Sequence, residues 1–260
     1  MLETLSFSLL KDEPIHHFIT TRNGGVSQVP FDSLNLGNLA HDKKEDVLEN
    51  RKRVKEALGC DHLFIGDQQH TNTIGIIKED NLEDLISSPL PFPKTDGLIT
   101  NVRGVGLLTL AADCTPILLF DPIQKVIGAI HSGWKGTELK ILTKGIEGMN
   151  NEFGCQPSDI KVCFGPFIKK ETYEIGLEVA QLFEEAYPEI IDQVLSEHPD
   201  VQKRYLDITA CQKYQCKTNG ILEQNIEFMP INTFTDHRFF SARKASPNQT
   251  GRFGGAIVLV

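Results

Sequence analysis

Apolar residues recur at helical spacing in four stretches of the chain. Val47, Val54 and Leu58 line one face of a helix that Asp42 can cap and Gly59 can stop. Leu142, Ile146, Met149 and Phe153, at spacings of 4, 3 and 4, predict a second helix capped by Thr137 and closed by Gly154. A third carries Val179, Leu182, Phe183 and Ala186 and must end before Pro188. A fourth runs from Asp207 to Asn219-Gly220, with Cys211 and Cys216 about 140° apart around it, too far round to bond with each other. Runs with strand character fall at 17–21, 63–67, 73–77, 105–110, 117–120, 126–130, 160–164 and 256–260. The stretch 98–131 reads as strands alone. Strict alternation of strand and helix is therefore missing, and the expectation is an α+β fold with a mixed or largely antiparallel sheet. The Pro-rich stretch 87–93 reads as a surface loop rather than a linker, so residues 1–260 are taken as one domain. Neither GxGxxG nor GxxxxGK[ST] occurs, which removes the common nucleotide-binding signatures.

Two of these strands flank the turn Asp121-Pro122-Ile123-Gln124. Pairing Asp121 with Lys125 places Thr115 opposite His131, and Cys114 then lies within about 5–8 Å of His131 at the open end of the hairpin. Such a pair has three readings: a metal site, a Cys–His hydrolase dyad in which imidazole takes the thiol proton, or a buried thiol beside a hydrogen-bonded imidazole. His70 decides between the first two if it converges on them, because one thiolate and two imidazoles make a three-ligand set suited to zinc with an open fourth position. His16 and His17 point to opposite faces of a strand. His41 belongs to a helix entry, His62 and His198 read as surface residues, and His237 lies in a polar C-terminal segment.

The Gly-rich turn after His131, with Gly133, Lys135 and Gly136, offers backbone N–H groups and a cation to an anion. Trp134, the only tryptophan, is either a stacking platform or core packing. Arg22 in a glycine-bearing turn, and Arg243 and Lys244 in a basic C-terminal stretch, are further candidate cations.

Composition narrows the function classes. With 40% hydrophobic and 23% charged residues over 260 positions, the chain can bury a full core without disulfides or metal staples. Its 26 Lys/Arg against 35 Asp/Glu give a formal charge of -9, which argues against a nucleic-acid partner while leaving room for a local cationic pocket. No apolar run reaches the roughly 18–20 residues of a membrane helix, so no membrane partner is expected. Residues 1–12 lack the features of a secretory signal, and the six cysteines are scattered without a CxxC pair. A reduced, cytoplasmic setting and a monomer are expected.

Read in order, the motifs carry a resemblance. They are Thr21-Arg22-Asn23-Gly24-Gly25-Val26-Ser27, Ser33-Leu34-Asn35-Leu36-Gly37, Gln68-Gln69-His70, Thr95-Asp96-Gly97, Ala112-Asp113-Cys114-Thr115-Pro116, His131-Ser132-Gly133-Trp134-Lys135-Gly136-Thr137, Gly165-Pro166-Phe167-Ile168, Phe239-Phe240-Ser241 and Thr250-Gly251-Arg252. Together the chain resembles the YfiH-like family, once labelled multicopper polyphenol oxidoreductase or laccase-like and now regarded as zinc-dependent purine nucleoside phosphorylases. The resemblance implies an αββα-type sandwich of mixed sheets, distantly similar to bacterial toxin deamidases with a Cys–His pair. It implies phosphorolysis of adenosine, inosine or guanosine to purine base and ribose 1-phosphate, with adenosine deaminase and methylthioadenosine phosphorylase activity beside it. It places the metal on His70, Cys114 and His131; beside that, Cys114, His131 and Asp113 are the candidate catalytic residues and Arg22, Asn35, Lys135 and Arg243 the candidate substrate contacts. Copper in place of zinc, with polyphenol oxidation, and a metal-free Cys–His amide hydrolase are the alternatives. Three positions depart from the family's usual pattern: Asn232 stands for a cysteine, Ala242 for an aromatic residue and Lys135 for an arginine.

Overall fold

The computed structural model describes residues 2–38, 41–245 and 247–260. Among them fourteen strands form: β1 (Thr4–Leu5), β2 (Ile15–Thr20), β3 (His62–Phe64), β4 (Ile74–Ile77), β5 (Gly97–Thr100), β6 (Val105–Ala111), β7 (Thr115–Asp121), β8 (Val126–Ser132), β9 (Lys161–Phe164), β10 (Glu174–Gly176), β11 (Leu195–Glu197), β12 (Lys203–Leu206), β13 (Ile226–Phe228) and β14 (Phe253–Leu259). The helices are α1 (Lys44–Leu58), α2 (Leu82–Ser87), α3 (Trp134–Glu138), α4 (Ile141–Phe153), α5 (Leu177–Ala186), α6 (Ile191–Val194) and α7 (Ile208–Thr218).

One sheet has the order β1-β2-β14-β6-β3 and the other β13-β9-β7-β8-β5-β4; only the pairs β3–β6, β13–β9 and β4–β5 are parallel. The sheets pack face to face over Ile19, Leu107, Leu118, Phe120, Ile127, Phe253 and Ile257. Helix α1 covers the outer face of the first sheet through Val54 and Leu58. Helices α4 and α7 cover the second through Ile146, Met149 and Cys216. The layering is therefore the mixed, largely antiparallel αββα sandwich that the resemblance implies. A small third sheet, β10-β12-β11, packs with α5 and α7 around Phe183, Tyr187 and Leu206. No helix among the described residues is long and apolar enough to cross a membrane.

Helix ends follow local chemistry, with two departures from expectation. Gly59 closes α1 at φ 73°, its N–H reaching the Lys55 and Glu56 carbonyls. The N-cap is Lys43, however: the Asp42 carboxylate accepts from the Lys43 N–H, the Ser27 hydroxyl and the Asn35 amide instead. The Asp207 side chain caps α7 by accepting from the Ala210 N–H at 3.2 Å. The helix expected from Thr137 is split, because Lys140 takes the left-handed conformation at φ 59° and separates α3 from α4. Thr137 lies inside α3, where its hydroxyl hydrogen-bonds that of Ser132 and caps nothing.

The β7–β8 hairpin is shifted by one residue from the expected pairing, with Asp121 opposite Val126 and Pro116 opposite His131. Lys125 adopts φ 54° and joins the loop rather than the ladder, and the Asp121 carboxylate accepts from the Ile123 and Gln124 N–H groups. The Pro-rich stretch is a loop but not wholly a surface one. Phe92 is buried against Phe64, with ring centroids 5.9 Å apart. All six cysteines are free thiols; Cys211 and Cys216 sit in different cores.

Candidate metal centre

Three chain passages meet at one end of the sandwich, where the backbone crosses between sheets. His70 lies in the crossing from β3 to β4, Cys114 in the crossing from β6 to β7, and His131 next to the end of β8. The Gln68 side chain fastens the first crossing to the second by donating to the Leu110 carbonyl and accepting from its N–H, both at 2.8 Å. Asp96, buried just before β5, gathers the rest. Its carboxylate accepts from the backbone N–H groups of Gln69, His70 and Thr71 at 3.1, 3.0 and 2.8 Å, and from the Thr71 hydroxyl at 2.8 Å. The His131 N–H donates to the Asp96 carbonyl, and His131 Nδ1 lies 2.8 Å from Asp96 Oδ1. Two site residues hold the left-handed backbone that side chains rarely adopt, His70 at φ 59° and Asp113 at φ 83°.

The ligand atoms of His70, Cys114 and His131 all lie within 4.8 Å of one another. Cys114 Sγ is 3.9 Å from His70 Nε2, and the two imidazole centroids are 4.9 Å apart at 72°. Two ligands of a tetrahedral zinc, at ordinary Zn–S and Zn–N lengths, would be separated by about 3.6 Å, so the donor set fits such an ion with a small contraction. An ionised carboxylate only accepts, so the bond to Asp96 keeps the His131 proton on Nδ1 and leaves Nε2 to face a metal. Gly133 completes the cradle. A Cβ there would stand 2.8 Å from Cys114 Sγ and 2.9 Å from His70 Cδ2, so a larger residue would push into the ligands. His131 is buried, Cys114 half-buried and His70 exposed, so the centre opens to solvent on the His70 side.

Cys114 and His131 shift each other toward their charged forms. Burial opposes charge on both, but each partner outweighs it. His131 and His70 hold the Cys114 thiol well below its ordinary value, and the Cys114 and Asp96 charges hold His131 well above its own. Burial likewise works against an ionised Asp96, yet the bonds from His131 and Thr71 lower its carboxyl to about 2.

The other expected site residues are placed as follows. Asp113 Oδ1 accepts from the Thr233 hydroxyl at 2.7 Å, and Oδ2 accepts from the Ser241 hydroxyl at 2.9 Å and the Arg243 N–H at 2.6 Å. The Arg22 guanidinium stacks 4.6 Å over Phe240 and bonds Asp32. Asn35 is buried, its amide donating to the Gly37 carbonyl and Asp42 and accepting from the Gly37 and Arg252 N–H groups. The Arg243 side chain donates to the Glu174 carbonyl and lies 5.2 Å over Tyr173. Lys135 is exposed on α3, and Trp134 packs half-buried against the α5–α7 core. His198 is not a free surface residue: its side chain is 13% exposed and faces Glu174 at 3.3 Å.

Reasoning from spacing missed Asp96 and Gln68, because the residues they hold lie 25 to 42 positions away. A polar Thr-Asp pair abutting an apolar strand was the available signal for Asp96. Arg252, in the basic C-terminal stretch that the sequence offers as a source of cations, is half-buried and within electrostatic reach of Cys114 and Asp113.

The fold and this cluster define an αββα protein with an open cluster of three candidate metal ligands where the strands change sheets. Residues 16–260 match the family described as multi-copper polyphenol oxidoreductase laccase, and the chain belongs to that family. It is 30% identical over 236 residues to purine nucleoside phosphorylase YlmD of Bacillus subtilis, covering 90% of this chain and 84% of that one. It is 33% identical over 251 residues to purine nucleoside phosphorylase Cgl2154/cg2365 of Corynebacterium glutamicum, covering 96% of each. Among solved structures it superposes on the YfiH protein of Bacillus licheniformis with a TM-score of 0.87 at 28% identity, covering 95% of this chain and 93% of the other.

Proposed function

We propose that residues 1–260 form one catalytic domain, a zinc-dependent purine nucleoside phosphorylase. Its reaction cleaves adenosine, inosine or guanosine with phosphate to purine base and ribose 1-phosphate. The observation that carries this reading is the open Cys114–His70–His131 set with Asp96 behind it, in a chain whose relatives are named purine nucleoside phosphorylases. A zinc ion bound there would supply Lewis-acid polarisation of an oxygen at the open position. In phosphorolysis the bond from C1′ to the purine nitrogen breaks and a bond from C1′ to a phosphate oxygen forms; the purine leaves with the electron pair and takes up a proton. Arg22, Lys135 and Arg243 are the candidate cations for the phosphate, and Asn35 holds the loop that carries Arg252. Asp113 is the candidate for proton transfer. Both its oxygens already accept bonds, so transfer from it requires Thr233, Ser241 or the Arg243 N–H to give way. The same centre would also deaminate adenosine, and the protein would act as a cytoplasmic monomer.

Metal content and reconstitution test it. The expected result is about one zinc per chain, turnover lost on chelation and restored by zinc rather than copper, and both binding and turnover abolished by Cys114→Ser. Restoration by copper alone, with oxidation of phenols, would point to the oxidase. One observation favours a second reading: Cys114, His131 and Asp96 are aligned as nucleophile, base and orienting carboxylate. A metal-free amide hydrolase would contain no zinc, lose its activity to rapid thiol alkylation and turn over no nucleoside.

A further inference from the structure

One residue from Cys114, the Asp113 carboxylate binds the hydroxyls of Thr233 and Ser241, and both of those residues also line a cavity of about 130 Å³. Arg22, His237, Lys244 and Thr250 line it too. The cavity lies well under the roughly 300–1,000 Å³ of sites for drug-sized ligands. It has room for about four waters at ~30 Å³ each, which suits a tetrahedral oxyanion and not a nucleoside. Its walls are cationic in a chain of net charge -9. Lys244 Nζ lies 3.3 Å from His237 Nδ1, and among the described residues no carboxylate is within 4.0 Å of Lys244. Arg22 is held from behind: Nε and Nη2 bond Asp32 and the ring of Phe240 supports the guanidinium, while Nη1 has no hydrogen bond among the described residues. The one carboxylate among these lining residues, Asp236, is committed to Arg238, accepting from its N–H at 2.9 Å and from its guanidinium at 2.7 Å. Cations thus converge on a small space whose one lining carboxylate is bound to Arg238, and Asp113 ties that space to the cluster of His70, Cys114 and His131.

We propose that this cavity binds inorganic phosphate, with Lys244, Arg22 and His237 as its donors and Thr250 as a hydroxyl partner. As the subsite of the attacking phosphate it rests on the phosphorolysis reading. It also selects among the cations, because Arg22 and Lys244 line the cavity and neither Arg243 nor Lys135 does.

The test is direct binding of inorganic phosphate to the metal-loaded protein without nucleoside, by calorimetry, followed by steady-state kinetics. Lys244→Gln should weaken phosphate binding about tenfold, the scale of one charge-assisted contact. Lys244→Arg should stay within about threefold of the parent, and His237→Gln should show a smaller loss of the same sign. In turnover, Lys244→Gln should raise the KM for phosphate by the same factor and leave that for the nucleoside unchanged. Ribose 1-phosphate should compete with phosphate in the parent protein. Wild-type phosphate binding in both Lys244→Gln and His237→Gln would overturn the proposal, as would loss of binding in Arg243→Gln alone. Lys244-dependent phosphate binding without any nucleoside turnover would uphold the anion site and sink the phosphorylase reading.

Discussion

Asp96 fixes two of the three candidate ligands, holding His70 through the backbone of its loop and His131 through both main chain and ring. Asp96→Asn loses the charge that orients the His131 proton, so metal affinity should fall about 10–100-fold in a metal-buffered titration. The carboxyl is depressed to about 2 in the folded protein. Its stabilising contribution is therefore complete above the ordinary carboxylate range and disappears as pH falls from about 4 toward 2. The Tm difference between parent and Asp96→Asn should close across that window; a constant difference would deny the shift. The thiolate–imidazolium pair makes a second pH prediction. A metal occupying His131 Nε2 must displace its proton, so binding at pH 7 should release about one proton, read by calorimetry in buffers of different ionisation enthalpy, and affinity should rise with pH. Gly133→Ala should reduce metal binding sharply while the fold persists, since the three atoms nearest the added methyl belong to Cys114 and His70. At this scale Cys114 and His131 were readable from the hairpin and His70 from its residue type. Asp96 was not, because hydrogen bonds spanning 25 to 35 positions leave no periodicity.

Elements with strong local signals were legible to within a few residues: α1 through Gly59, α7 through Asp207 and α5 through Pro188. The misreadings trace to single left-handed residues. Lys125 lengthens the hairpin loop and Lys140 divides α3 from α4, and neither residue type announces such a conformation. Strand β5 lies at the start of the stretch 98–131 that reads as strands, but it has no run of its own because its four residues are all buried and show no alternation. The α4 stop offers a clean control. Gly154 takes φ 72° with nothing within 4 Å of an added Cβ, so Gly154→Ala should cost about 1 kcal/mol from backbone strain alone, with metal binding and turnover unchanged.

For the whole molecule, two sheets back to back let the chain cross between them repeatedly at one end, and the His70 and Cys114 passages are two of those crossings. Local pattern indicated an α+β class, but the pairing of β14 between β2 and β6 joins residues more than 140 positions apart, which no local pattern specifies. The sandwich core and the centre are separable. Ile257→Ala, fully buried between the sheets, should cost about 2–5 kcal/mol in denaturant unfolding while metal affinity holds, because the two sites share no partners. The central claim is that this scaffold carries out metal-dependent phosphorolysis, and one assay addresses it. Adenosine is incubated with the zinc-loaded protein with and without inorganic phosphate, and adenine, inosine and hypoxanthine are separated. Adenine and ribose 1-phosphate formed only when phosphate is present, and not by Cys114→Ser, is the predicted result. Base release independent of phosphate, or no nucleoside turnover with the zinc site full, would contradict it.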